Sequence, residues 1–229
     1  MSIHILLSDA DGTLFDFHKG EAIAIRETFE AAGIPATEEM VDLYSRANDA
    51  QWKKLERGET TQQKLRLDRF VDFLSLAGLS GDPQALCDDY VERLGQQRFP
   101  LCGAEELCRR VSAHMPIWLI TNGISQIQRS RFSDCLLTPY FSGMVISEEV
   151  GAAKPDPAML FEALRLAGDF RPEEAVVLGD SVTADIAAAN NAGIRSILFT
   201  NGKEPPEGHG ATWAVRTLDE ACRLILSEK

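Results

Sequence analysis

Ile3-His4-Ile5-Leu6-Leu7 is a short apolar run stopped by Ser8-Asp9-Ala10-Asp11-Gly12-Thr13, a stretch whose composition ends a strand and opens a loop. Residues 117–120, 175–178 and 196–199 repeat the pattern, each followed by Thr, Asn, Gly or Asp and each alternating with a helical pattern. Residues 144–147 make a weaker candidate strand, and 212–215 a candidate edge strand. Runs this apolar suit strands covered on both faces. Their alternation with helices predicts an α/β fold with a Rossmann-like parallel sheet.

Between the first strand and the second the periodicity is helical. Ala22, Ile23, Ile25, Phe29 and Ala32 recur at helical spacing, as do Leu65, Phe70, Val71, Phe73 and Leu74. Asp82-Pro83 reads as an N-cap followed by proline in the first turn, and Gly33 and Gly78 stand where helices stop. Residues 16–100 are therefore expected to form an inserted all-helical cap domain of about four helices. Residues 1–15 and 101–229 would form the α/β catalytic core.

Composition narrows the possible partners. The 229 residues are 45% hydrophobic and 25% charged, enough to bury a core. Against 23 Lys and Arg stand 35 Asp and Glu, a formal charge of −12, which argues against a nucleic-acid polymer as partner. The five cysteines, Cys87, Cys102, Cys108, Cys135 and Cys222, form no C-x-x-C pair, so a reducing cytoplasm is the expected location. No apolar stretch approaches the ~20 residues of a membrane span, and the first run is too short for a signal peptide.

The ends of the predicted strands carry the candidate chemistry. They supply Asp9-Ala10-Asp11-Gly12-Thr13, Thr121-Asn122-Gly123, Lys154-Pro155, and Gly179-Asp180-Ser181 with Asp185. In an open parallel sheet the carboxyl ends of the strands are where ligands bind. Several carboxylates converging on one loop layer repel unless a cation sits among them, and Mg²⁺ and Lys154 are the candidates. A calcium EF-hand fails on spacing: its sixth position would be Leu14 and its twelfth Gly20.

In order and spacing, Asp9-x-Asp11-Gly12-Thr13, Thr121, Lys154-Pro155 and Gly179-Asp180 with Asp185 resemble the four-motif signature of the haloacid dehalogenase superfamily. The resemblance implies that Asp9 is the nucleophile that becomes an aspartyl phosphate and that Asp11 is the general acid and base. It further implies that Thr121 and Lys154 hold the phosphoryl oxygens, that Asp9, Asp180 and the carbonyl of Asp11 ligate Mg²⁺, and that Asp185 supports Lys154 or a metal-bound water. Backbone N–H groups after Asp9 and at Asn122-Gly123 would complete the phosphate cradle.

The helical insert after the first motif resembles the subgroup with a small helical cap. The phrases Ile120-Thr121-Asn122-Gly123, Val145 to Gly151 before Lys154-Pro155, and Pro206-Glu207-Gly208 before Ala211-Thr212-Trp213 resemble the pyrimidine 5′-nucleotidase branch. The activity implied is a Mg²⁺-dependent phosphomonoesterase, a 5′-nucleotidase acting on pyrimidine nucleoside monophosphates. The alternatives are a phosphatase of a sugar phosphate or phosphoglycolate, a sugar phosphomutase, and a 2-haloacid dehalogenase. Dehalogenation requires neither Mg²⁺ nor an acid for the leaving group, so Asp11 and Asp180 favour phosphate.

Other residues read more simply. His18 is expected in a solvated linker, Lys53 and Lys54 on an exposed helix face, and Tyr44 and Trp52 in the core of the helical domain. Asp180 could in addition cap a helix over residues 182–192.

Overall fold

The computed structural model describes residues 2–229. In chain order the elements are β1 (Ile5–Ser8), α1 (Phe17–Ala31), α2 (Glu38–Glu56), α3 (Gln62–Ala77), α4 (Pro83–Leu94), α5 (Ala104–Ser112), β2 (Ile117–Thr121), α6 (Ser125–Ser133), β3 (Gly143–Ile146), α7 (Ser147–Val150), α8 (Ala158–Leu166), β4 (Ala175–Gly179), α9 (Ala187–Ala192), β5 (Arg195–Phe199), β6 (Trp213–Val215) and α10 (Leu218–Ser227). Short 3₁₀ turns and one wide helical turn lie between them.

The strands form one parallel six-stranded sheet, as the apolar runs predicted, and their order is β3-β2-β1-β4-β5-β6. Alternate residues of each strand enter opposite cores. Leu6, Leu119, Val176 and Leu178 pack on one face with Leu107 and Val111 of α5 and Leu218 and Ile225 of α10. Ile5, Leu7, Ala175 and Val177 pack on the other with Met159, Leu160 and Ala163 of α8 and Ala188 and Ala189 of α9. With both faces covered, no strand position is left for a polar alternation, which is why the runs read as continuously apolar.

After β1 the chain fills one side of the sheet and then crosses to lay β4 on the other side of β1. The crevice between the carboxyl ends of β1 and β4 is thus the topological switch point, where such sheets bind ligands.

The chain divides into two compact units. One runs to Phe17 and continues through Arg98–Ser125 and Phe132–Lys229; the other is His18–Gln97 with Gln126–Arg131. In the helical unit Phe29, Tyr44, Phe70, Phe73 and Tyr90 form one aromatic cluster, with Phe29 and Phe73 stacked at 4.7 Å. Three of its helices start where side-chain oxygens take amide protons: Thr37 before α2, Thr61 before α3, Asp82 before α4. Gly78 ends α3 in the left-handed conformation.

Three sequence expectations change. Val71 is 45% exposed, and Arg69 takes the buried position on α3, with its guanidinium 4.7 Å from the centre of the Tyr90 ring. On α1 the buried face includes the polar residues Glu21 and Thr28. The helix expected over 182–192 opens with a wide turn, in which the Ile186 amide reaches back to Ser181 O, and its N-cap is Ser181 rather than Asp180. Tyr44 is fully buried in the helical unit, as expected, and His18 is exposed. Among the described residues no helix is long and apolar enough to cross a membrane.

Candidate active site

Asp9 follows β1 directly, and its amide donates to Leu178 O of β4 at 2.8 Å, so the strand that leaves the sheet is still held by its neighbour. The chain then turns tightly. The Phe15 amide donates to Ala10 O and the Gly12 amide to Phe15 O, both at 2.9 Å, which fixes Asp11 on the turn two residues beyond Asp9. Gly12 sits at φ +88, and a Cβ there would overlap the Asp180 carboxylate, so both backbone and space require glycine. Thr13, fully buried, donates its hydroxyl to Asp180 Oδ1 at 3.2 Å.

Lys154 arrives from the loop between α7 and α8 and lies 2% exposed. Its ammonium donates to Asp9 Oδ1 at 2.6 Å, Asp185 Oδ1 at 2.7 Å and Ile120 O at 2.8 Å. Three N–H groups meet three acceptors, so the lysine acts first on the protein's own carboxylates. Asp185 is itself fixed, since its Oδ2 accepts the Ser181 amide at 3.0 Å across the wide turn. Such turns recur at functional sites because they redirect side chains.

Gly179 has an ordinary φ, but a Cβ there would overlap Asp185. Gly179→Ala is therefore expected to lower stability by about 1–3 kcal/mol, the usual cost of overpacking, and to cut activity by displacing the partner of Lys154. Thermal unfolding and kcat measured together check it; unchanged values in both would show that the strand end yields freely.

Carboxylate oxygens of Asp9, Asp180 and Asp185 all lie within 4.8 Å of one another. One lysine against three acids leaves two negative charges in excess. The acids register this. Burial raises the Asp9 carboxyl well above the ordinary range, Lys154 pulls it back, and the charges of Asp185 and Asp180 push it further up. Asp180 keeps solvent contact, yet its crowded surroundings and then Asp185 raise it to about 7. Lys154 is raised despite burial, by Asp185 and Asp9. Hard oxygen donors carrying two unbalanced charges suit a small dication such as Mg²⁺.

The end of β2 contributes Thr121, 2% exposed, whose hydroxyl oxygen accepts the Gly123 amide at 3.0 Å. That amide, expected at the phosphate, donates to Thr121 in the structure. Asn122, expected at the substrate, exchanges two hydrogen bonds with the Lys154 main chain. Three contributions escaped the sequence reading. Thr13 carried its signal in the wording of the first motif, whereas the Ile120 carbonyl and the fit of Gly179 against Asp185 carry none.

A family model for haloacid dehalogenase-like hydrolases matches residues 3–193. The chain is 36% identical to the pyrimidine 5′-nucleotidase PynA of Streptococcus pneumoniae over 87% of its own length and 84% of that protein's. It is 32% identical to the pyrimidine 5′-nucleotidase YjjG of Escherichia coli over 95% of both chains. Its fold superposes with a TM-score of 0.90 on a structure of the HAD-hydrolase YfnB of Bacillus subtilis bound to magnesium, at 29% identity, covering 99% of this chain and 100% of that one.

Proposed function

The chain belongs to the haloacid dehalogenase-like hydrolases, and from that premise we propose that it is a Mg²⁺-dependent 5′-nucleotidase that works through a phosphorylated Asp9. Phosphoric monoester hydrolysis is its class of reaction. The observation that carries the mechanism is the Lys154 ammonium set between Asp9 and Asp185 at the switch point of the sheet. The cluster at Asp9 recognises the phosphoryl half of an ester, whereas the pyrimidine preference rests on kinship with the two nucleotidases. Free cysteines throughout suit a cytoplasmic enzyme.

Asp9, Asp180 and the Asp11 carbonyl would hold Mg²⁺, whose charge would offset the repulsion between a carboxylate and a phosphate dianion. Lys154 fixes the rotation of the Asp9 carboxylate through Oδ1, and Asp185 keeps Lys154 charged. A carboxylate oxygen of Asp9 attacks phosphorus, the bond to the ester oxygen breaks, and Asp11 gives that oxygen its proton. Asp11 then takes a proton from water, which attacks the phosphorus of the aspartyl phosphate and restores Asp9 as orthophosphate leaves. Thr121, oriented by the Gly123 amide, directs its O–H to a phosphoryl oxygen.

A panel of phosphate monoesters assayed with Mg²⁺ and with EDTA tests the proposal. Turnover is expected to vanish in chelator, return with Mg²⁺ and be inhibited by Ca²⁺, whose larger, looser shell misplaces the carboxylates. Pyrimidine nucleoside monophosphates are expected to lead purine ones and hexose phosphates. A sugar phosphate in first place, or conversion of one phosphate isomer to another without release, would overturn the nucleotidase assignment. Full activity in EDTA would overturn the Mg²⁺ dependence, and halide release from a 2-haloacid would point to dehalogenation.

A further inference from the structure

We infer that Asn122 is a positioning residue, whose amide locks the Lys154 main chain and thereby sets the ammonium that orients Asp9. The inference rests on the mechanism above. Asn122 Nδ2 donates to Lys154 O at 2.9 Å, and the Lys154 amide donates to Asn122 Oδ1 at 2.8 Å. Two opposed bonds to one residue imitate a rung of a sheet.

The clamp stands where the sheet itself stops. β2 and β3 pair only as far as Thr121 and Ile146, so no ladder bonds join the loops beyond them. Side chains take over that task. Besides the Asn122 clamp, the Ser125 amide donates to Glu148 at 2.7 Å and its hydroxyl to Glu149 at 2.5 Å. The 122–125 loop is thus stapled to both ends of the 148–154 segment.

Lysine needs such support more than arginine would, because its point charge sits on a long flexible stem. Three acceptors fix the tip of Lys154 and the clamp fixes its root. With the root released, the tip keeps its acceptors only by pulling Asp9 with it. Displacements of about 1 Å at a reacting group cost on the order of a hundredfold in rate.

The test compares wild type with Asn122→Ala and Asn122→Asp in the intact chain with Mg²⁺. Asn122→Ala is expected to lose roughly ten- to a hundredfold in kcat/KM, by the same factor on a nucleoside monophosphate and on p-nitrophenyl phosphate. Its inhibition constant for orthophosphate is expected to rise about tenfold. Asn122→Asp keeps the acceptor but sets a carboxylate oxygen against Lys154 O, so it should lose at least as much as Asn122→Ala. Amide hydrogen exchange over residues 148–155 should quicken in Asn122→Ala. A loss confined to the nucleotide, with orthophosphate inhibition unchanged, would show that Asn122 touches the substrate and would overturn the inference. So would a drop in unfolding temperature with unaltered inhibition, or exchange no faster than in wild type. A wild type that hydrolyses no phosphate ester, alongside the quickened exchange, would instead sink the mechanism and leave the clamp standing.

Discussion

Asp9→Asn protein is expected to fold normally and to hydrolyse no phosphate ester. The amide is nearly isosteric and can still accept a bond from Lys154, which also keeps Asp185 and Ile120 O. It cannot form the phosphoryl-enzyme bond, and it removes one anionic ligand for Mg²⁺. Activity above about a hundredth of wild type, in protein free of deamidation back to Asp, would exclude Asp9 as nucleophile.

Stability should move the other way. Burial holds the Asp9 carboxyl well above its ordinary range. A carboxyl raised in the folded state favours folding below its unfolded pKa, and that contribution is lost as pH rises through the folded one. Near neutral pH in chelator Asp9, which is ionised in the unfolded chain, is thus a net cost to the fold that Asn removes. Asp9→Asn should unfold at the same temperature as wild type or above it, with the difference shrinking towards pH 4. A marked fall at neutral pH would mean that the Lys154 pair, rather than desolvation, decides the balance. Catalytic groups are commonly held at such a cost to the fold.

How far the sequence reaches depends on which force sets each feature. The apolar runs located all the strands to within a residue or two, because a strand covered on both faces has only apolar positions to offer. Strand order was not legible, since β1 pairs with β2 and β4 through main-chain bonds that leave no mark on side-chain pattern. Helical periodicity found the bundle and misjudged its register. It counts only apolar residues, whereas Glu21 is buried by bonds from Ser45 at 2.9 Å and Asn48 at 2.8 Å, and Asn48 in turn accepts from Arg69 at 3.3 Å.

At the site, acids and lysine stood out as charges at strand ends. The support of Lys154 by Asp185 came only through the family resemblance, and a contact such as Thr13 with Asp180 was not legible at all, because both depend on how separate loops meet. Asn122 shows the limit most clearly. Its position beside Thr121 suggested contact with substrate, and nothing in the sequence pointed to the bonds its amide exchanges with the Lys154 main chain.

Asp11→Asn is expected to slow the first, phosphoryl-transfer step far more for a nucleotide than for p-nitrophenyl phosphate. A nucleoside 5′-oxygen departs as a strongly basic alkoxide and needs a proton, whereas nitrophenolate is stable without one. The turn that carries Asp11 is held by main-chain bonds between Ala10, Gly12 and Phe15, so the substitution should leave its shape unchanged. The proposed metal ligand from Asp11 is its carbonyl, which Asn retains. The two substrates should therefore part company through proton transfer alone. General acid catalysis contributes typically about a hundred- to ten-thousandfold, which sets the size of the difference. Hydrolysis of the aspartyl phosphate also needs a base and would be slow for both, so the released alcohol must be followed before the steady state. Equal losses on both substrates in that first step would show that Asp11 serves the geometry of the turn and that the proton comes from another group.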